Sequence, residues 1–140
     1  MQVRRPQGFT MIELIVVIVI LGVLAATALP KFIDMNSDAK AAALKGVVGA
    51  AASAMTINYS GCAVALHTPA SGKCVKVDNC DDLGTIMQGG LPTGYTVGTV
   101  ALGTGSAGSN GVEAACTITQ GSGVGAPTGT FTGISAGNGP

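Results

Sequence analysis

Charged and aromatic side chains are scarce in this sequence. Its 140 residues include no tryptophan, three phenylalanines and two tyrosines, and charged residues make up 10% of the total. Seven basic side chains balance seven acidic ones, and the N-terminal Arg4 and Arg5 are two of the basic ones. Because no basic patch remains after these arginines, the sequence argues against a nucleic-acid duplex as a required partner.

Groups for catalysis or metal binding are equally scarce. His67 is the only histidine, and no two cysteines have the C-x2-C spacing of common zinc sites. The glycine-rich run at 103–111 lacks the lysine of a phosphate-binding loop and is interpreted as a turn between strands. Asp81 and Asp82 are interpreted as acids at a helix start, and His67 as an exposed loop residue. The sequence therefore predicts no catalytic residue, no bound metal and no cofactor.

One apolar run dominates the N-terminal part of the chain. Glu13 is the only charged residue between Phe9 and Leu29. As a helix with a rise of about 1.5 Å per residue, this segment would be about 30 Å long, which matches the hydrocarbon core of a bilayer. A secretory signal peptide cleaved near the small residues at 25–28 is the alternative, but a carboxylate inside its apolar core is costly.

The motif G-F-T-M-I-E-L at residues 8–14 resembles the class III signal of type IV pilins and their relatives, whose usual form is G-F-T-L-I-E-L. The resemblance implies that a prepilin peptidase removes the leader, residues 1–8, by cleaving after Gly8 on the cytoplasmic face of the membrane. It also implies N-methylation of the new N-terminus at Phe9. Met11 stands where the family has leucine, a change that conserves size and polarity.

The same resemblance assigns an assembly role to the apolar helix. Residues 9–30 would hold the precursor in the inner membrane and later bundle with other copies into the core of a filament. Glu13 would pair with the positively charged amine of Phe9 in a neighbouring subunit, because an unpaired charge in that apolar setting is costly. The alternative is that Glu13 lies solvated at the headgroup boundary. Pro30 is expected to kink the helix, and in the family the segment from Gly22 to Pro30 can lose helicity on assembly.

Residues 31–61 are predicted to continue as an amphipathic helix that ends near Gly61, a residue suited to a left-handed cap. Apolar residues at helical spacing predict one stripe for packing: Leu44, Val48, Ala51, Met55 and Tyr59. The stretch P-K-F-I-D-M and the alanine-rich run after it resemble the mannose-sensitive haemagglutinin type of pilin. This second resemblance implies a type IVa subunit with a short leader.

Four cysteines follow the apolar helix, and an even number in a small exported domain indicates two disulfides. Three pairings satisfy this count. We favour Cys62–Cys74, which closes a short local loop, and Cys80–Cys116, which ties a late strand to the middle of the domain. Two covalent links would help a domain whose apolar core is small.

Residues 62–120 are predicted to form a globular head and residues 121–140 a C-terminal tail. A helix is predicted from Asp78-Asn79 to Gly89-Gly90. The tail is rich in glycine, serine and threonine with little to bury, so it is expected to be loose or an exposed edge loop with one strand. Strand-like runs occur at 63–66, 75–77, 95–102, 112–119 and 130–134.

These elements predict an α+β fold in which a long N-terminal helical spine, kinked near Pro30, packs against a small antiparallel sheet stapled by disulfides. The resemblance implies a structural, non-enzymatic subunit of a type IV pilus, a helical homo-oligomer on the cell surface that serves adhesion, motility or DNA uptake. Its expected partners are the prepilin peptidase and the pilus assembly machinery. A pseudopilin of a type II secretion system and a membrane-anchored binding module that does not polymerise are the alternatives.

Overall fold

A computed structural model of the chain describes residues 8–140, with no side-chain description for residues 29–34. The predicted leader lies outside the described residues apart from Gly8. The chain divides into two compact units at Lys40, and the second unit contains residues 41–140.

One helix, α1, runs from Met11 to Val64 and belongs to both units. Its backbone is helical through Pro30 without a break, so the kink stays a prediction. The helix passes its predicted end near Gly61 and stops where Leu66 and His67 both take a positive φ of 52°. The strand predicted at 63–66 is therefore wrong, because these residues continue the helical hydrogen bonding, as in Ala65 N–H to the carbonyl of Gly61 at 3.2 Å.

Gly61 is a packing residue rather than a helix cap. It lies inside α1, and a Cβ atom at this position would collide with the backbone carbonyl of Lys73. That carbonyl belongs to the loop that the disulfide Cys62–Cys74 holds against the helix, with a Cα–Cα distance of 4.4 Å. Glycine at 61 thus permits the close approach on which the disulfide depends.

Substitution of two helical glycines tests this close approach. Gly61→Ala is expected to lower the free energy of unfolding of the second unit by about 1–3 kcal/mol, the range for overpacked sites. Gly49→Ala is the control, since its Cβ would meet nothing within 4 Å, and it should stabilise the helix by about 0.5–1 kcal/mol. Thermal unfolding of the full chain in detergent measures both. Equal midpoints for the two variants would contradict the close approach.

The predicted apolar stripe of α1 forms one wall of the core. Leu44, Ala51 and Met55 are buried, whereas Val48 and Tyr59 at the same spacing are half-buried. The opposite wall comes from the sheet and from the segments that precede and connect its strands, with these buried residues: Val77, Cys80, Leu83, Leu102, Cys116, Ile118 and Phe131. Helical spacing thus predicts the buried stripe correctly. Burial of these apolar side chains is the main favourable contribution to the packing of the sheet against α1.

Three strands form an antiparallel sheet in the order β1-β2-β3: Tyr95–Val97, Glu113–Gln120 and Thr128–Ile134. In this register Cys116 of β2 lies opposite Phe131 of β3. Strand β3 begins against α1, where a Cβ at Gly129 would lie 2.6 Å from Cγ2 of Val48. The absence of a side chain there lets the strand approach the helix, and the α+β prediction is confirmed.

The short elements before the sheet depart from the predicted ones in length. A 3₁₀ turn, Cys80–Asp82, leads into a four-residue helix, α2, Leu83–Ile86, and the chain turns extended at Met87, before the predicted end of the helix at residues 89–90. The run at 75–77 forms a single bridge, from Val77 to Ala136, rather than a strand. The disulfide Cys80–Cys116 joins the 3₁₀ turn to β2, so both disulfides have the pairing that the sequence favours.

The end of the chain is packed rather than loose. Residues 135–138, which follow β3, are all buried. Ala136 exchanges two backbone hydrogen bonds with Val77, at 2.9 and 3.0 Å, and Gly139 N–H donates to the carbonyl of His67 at 2.9 Å. The one strand expected in this segment is confirmed as β3. The expectation of little to bury is wrong after β3, where a Cβ at Gly137 would lie 2.9 Å from Cα of Lys76, so only a small residue fits.

Candidate assembly site

The start of α1 carries a reciprocal hydrogen-bonded cap between Thr10 and Glu13. The Glu13 carboxylate oxygen Oε2 accepts from the backbone N–H and from the hydroxyl of Thr10, both at 2.8 Å. In return, Glu13 N–H donates to the Thr10 hydroxyl oxygen at 3.4 Å. This is the capping box of a Thr-x-x-Glu sequence, and it places an anionic group at the positive end of the helix dipole.

The Glu13 side chain is exposed, and one of its oxygens is unused. Both bonds from Thr10 end on Oε2, so Oε1 accepts no hydrogen bond from any described residue. A carboxylate has about four lone-pair positions, and the cap occupies only part of that capacity. The cap and a further cationic partner at Glu13 are therefore compatible in geometry.

An apolar surface surrounds this carboxylate. The segment Met11–Ala28 is long and apolar enough to cross a membrane, and no part of it is buried within the chain. Every large apolar side chain from Met11 to Leu24 is exposed. Near its far end the Thr27 hydroxyl donates within the helix, to the carbonyls of Leu24 at 3.0 Å and Val23 at 3.4 Å. Such a surface is unfavourable in water and needs lipid or other copies to cover it.

The structure places the predicted cleavage residue Gly8 and the other predicted assembly residues, Phe9 and Pro30, just beyond the ends of this surface. Gly8 and Phe9 precede the helix, and both are exposed. Pro30 lies on the helical backbone, and its side chain is outside the described ones. Three of the predicted residues, Phe9, Glu13 and Gly8, therefore come together at one end of α1, and Pro30 lies well along the helix from them.

A second candidate segment, the helix start near Asp81 and Asp82, is explained by capping. The Asp82 carboxylate accepts from the backbone N–H groups of Asp78 and Asn79 at 3.0 and 2.9 Å. The ammonium of Lys76, 2.9 Å from the Asp78 carboxylate, lowers the pKa of Asp78. Within the described residues no three acidic, cysteine or histidine side chains cluster as metal ligands would.

His67 differs from its predicted position. It is half-buried rather than exposed, and its ring lies 5.4 Å from that of Tyr59 between centroids. Its Nδ1 is buried and has no hydrogen-bond partner among the described residues. Because Gly139 N–H binds the His67 carbonyl, the end of the chain encloses the residue.

Sequence reasoning did not predict the buried side-chain amides of Asn58 and Asn138. Asn58 on α1 binds the backbone of Val75 twice, its amide donating at 2.8 Å and its carbonyl accepting at 2.9 Å. Asn138 binds Ser109 and Asn110: its side-chain amide donates to the carbonyl of Ser109 at 2.8 Å, and its backbone N–H donates to Oδ1 of Asn110 at 3.0 Å. The sequence signal at Thr10-x-x-Glu13 was available from the chain, whereas these amide contacts depend on loops that meet only in the fold.

Comparison with known families gives a match at the N-terminus. Residues 3–29 match the family described as the prokaryotic N-terminal methylation motif. This region contains the Thr10–Glu13 cap and most of the exposed apolar segment of α1.

Individual relatives match a longer part of the chain. It is 34% identical over 92 residues to the type IV narrow pilus major component PilA5 of Thermus thermophilus, covering 66% of this chain and 69% of that protein. It is 33% identical over 104 residues to fimbrial protein Q of Moraxella bovis, covering 74% of this chain and 62% of the relative. Type II secretion system core protein G of Pseudomonas aeruginosa is 46% identical over 55 residues, which is 39% of each chain. No solved structure is significantly similar to the chain.

Proposed function

Since this chain belongs to the type IV pilin family, we propose that it polymerises through its N-terminal helix into a surface filament, as a structural subunit without catalytic activity. The observation that carries the proposal is the exposed segment Met11–Ala28, an apolar surface with one capped carboxylate at its start. A surface of this size in water needs a lipid or protein partner. In a filament, equivalent segments of other copies supply that partner.

The proposed life of the subunit has two stages. The precursor is held in the inner membrane by residues 9–30, and a prepilin peptidase removes residues 1–8 by cleaving after Gly8. Phe9 becomes the N-methylated N-terminus, and the assembly machinery then moves the subunit into an extracellular pilus. Residues 31–61 continue the spine that carries the head, residues 62–120, and the C-terminal segment 121–140.

In this proposal Glu13 binds two groups at once. Oε2 keeps the Thr10 cap, and Oε1 receives the amine of Phe9 from a neighbouring subunit. Charge pairing in an apolar bundle is favoured when both groups also keep their hydrogen bonds, because desolvation otherwise outweighs the attraction. The two hydrogen bonds from Thr10 already meet this requirement for the Glu13 carboxylate before a neighbouring subunit binds.

A pseudopilin of a type II secretion system is the second candidate. Core protein G of such a system has the highest of the three identities, 46%, but the similarity covers only 39% of this chain. The two pilus proteins match 66% and 74% of it and therefore include residues beyond the shared helix. This wider coverage favours the pilus subunit.

Filaments sheared from cells that express the chain test the proposal. Electron microscopy should show fibres that contain the chain, and mass spectrometry should find a subunit that begins at a methylated Phe9. A filament subunit that retains Met1, or one cut after Ala28, would overturn the processing and the membrane-anchored core together. Cells without the chain are the control, and they should lack these fibres.

A further inference from the structure

A fully exposed valine lies at the tip of the hairpin between β2 and β3. Val124 is the most exposed large apolar side chain among the residues that the structure describes. It lies between Gly123 and Gly125, which both have positive φ and carry no side chain that covers it. No charged residue occurs between β2 and β3. The hairpin tip, defined here as residues 121–127, is thus a small uncharged projection with one apolar group at its end.

A groove of about 510 Å³ lies elsewhere on the same unit. It runs between α1, the loop that contains Cys74, and α2, and we name it the α2 groove. Its apolar lining includes Ile57, whose side chain is 72% exposed. Its further apolar or small lining residues are Ala50, Ala54, Gly72, Val75 and Ile86.

The tip and the groove lie on opposite sides of α1. Thr128, next to the tip, lies beside Lys45 and Val48. Ile57 follows Val48 by about two and a half turns, at about 3.6 residues per turn, so these side chains leave opposite faces of the helix. Ala54 of the groove likewise follows Lys45 by about two and a half turns, so these two side chains also leave opposite faces of the helix. A hairpin tip therefore lies across the helix from the α2 groove of its own chain.

An apolar projection and a groove on opposite sides of one molecule form a head-to-tail contact between copies, and such a contact does not close on itself. A filament holds its copies in one repeated orientation, so the tip of one copy can meet the groove of another. We propose that Val124 of one subunit inserts into the α2 groove of a second copy of this chain, beside Ile57. The proposal rests on the proposed function and adds a contact between heads to the contact between N-terminal helices.

A cysteine pair tests the contact in filaments of the full chain. Val124→Cys with Ile57→Cys is expected to give, after oxidation, a ladder of dimers, trimers and longer species on a non-reducing gel. All four native cysteines are in disulfides and do not compete. Either single variant should stay monomeric. Val124→Cys with Leu66→Cys is the matched control, because Leu66 is 74% exposed but does not line the groove, and it should give at least tenfold less ladder.

The species on the gel separate the outcomes. Filaments of the Ile57 pair that yield only monomers, or no more ladder than the Leu66 pair, overturn the contact and leave the proposed function intact. A product that stops at dimers also overturns it, since a two-fold contact replaces the head-to-tail one. A wild-type chain that forms no filaments overturns the proposed function, and the head contact fails with it.

A charge exchange covers the case in which the cysteine variants do not assemble. Val124→Lys and Ile57→Asp should each lower filament yield at least tenfold, because the new lysine would meet Ile57 and Lys73 of the groove and the new aspartate would face the apolar Val124. The double variant should recover at least half of the wild-type yield, since the two charges would then meet. Single variants with normal yield, or a double variant no better than either single one, would count against the contact.

Discussion

Glu13→Ala is expected to reduce filaments by at least tenfold while the precursor still inserts into the membrane. The substitution removes the proposed charge partner of the neighbouring Phe9 amine, and it also removes the Thr10 cap. The apolar segment that anchors the precursor is unchanged. Filament yield after shearing and the amount of subunit in the membrane fraction are the two measurements. A variant with normal filaments would exclude a role of Glu13 in assembly.

Two further variants separate the charge of Glu13 from its capping role. Glu13→Gln keeps a side-chain oxygen that can complete the capping box but removes the negative charge. Thr10→Val removes the hydroxyl of the box and keeps the charge. We expect Glu13→Gln to lose filaments as alanine does, and Thr10→Val to retain most of them. The reverse result would mean that the cap, rather than the charge pair, is what assembly requires.

The sequence predicted this end of the molecule well because its determinants are local. An uninterrupted apolar run fixes a helix and its need for lipid or protein cover, and the motif around Glu13 fixes where the charge lies. Even the missed cap was readable, since Thr10 precedes Glu13 by the spacing of a capping box. Local sequence signals do not determine the role of Glu13 between subunits, because that role depends on a second chain.

The second unit was predicted in outline because its strongest signals are also local. The stripe on α1 follows helical spacing, and the short loop between Cys62 and Cys74 made their pairing the simplest choice. Gly61 was misinterpreted because glycine serves two purposes that a sequence does not distinguish, a left-handed cap and a close contact. Only the position of the Lys73 carbonyl decides between them.

The residues after β3 were predicted least well, for a related reason. Small residues are typical of loose chain ends, but they also fit narrow spaces between loops. Asn138 is buried here through bonds to Ser109 and Asn110, which are distant in sequence. Contacts of this kind give no periodic signal in the sequence, so composition alone led to the wrong prediction of a loose chain end.

Deletion of residues 135–140 is therefore expected to prevent the second unit from folding stably. The deletion removes the two bonds between Ala136 and Val77, and the bonds that Ser135 makes with Gly111 and Val112. Each buried backbone group left without a partner costs about 1–3 kcal/mol, and the whole stability of a small domain is about 5–15 kcal/mol. The loss of several such bonds together with the packed side chains approaches that total.

A graded series makes this result specific to the packed end. Asn138→Ala should lower the free energy of unfolding by about 1–3 kcal/mol, because the Ser109 carbonyl loses its donor. Pro140→Ala is the control, since Pro140 is exposed, and it should change nothing measurable. Thermal unfolding and limited proteolysis of the full chain in detergent rank the three variants. If the deletion variant were as stable as Pro140→Ala, the C-terminal segment would contribute nothing to the fold. A deletion variant that is sensitive to protease but keeps α1 intact would show that the fold of the head depends on this segment.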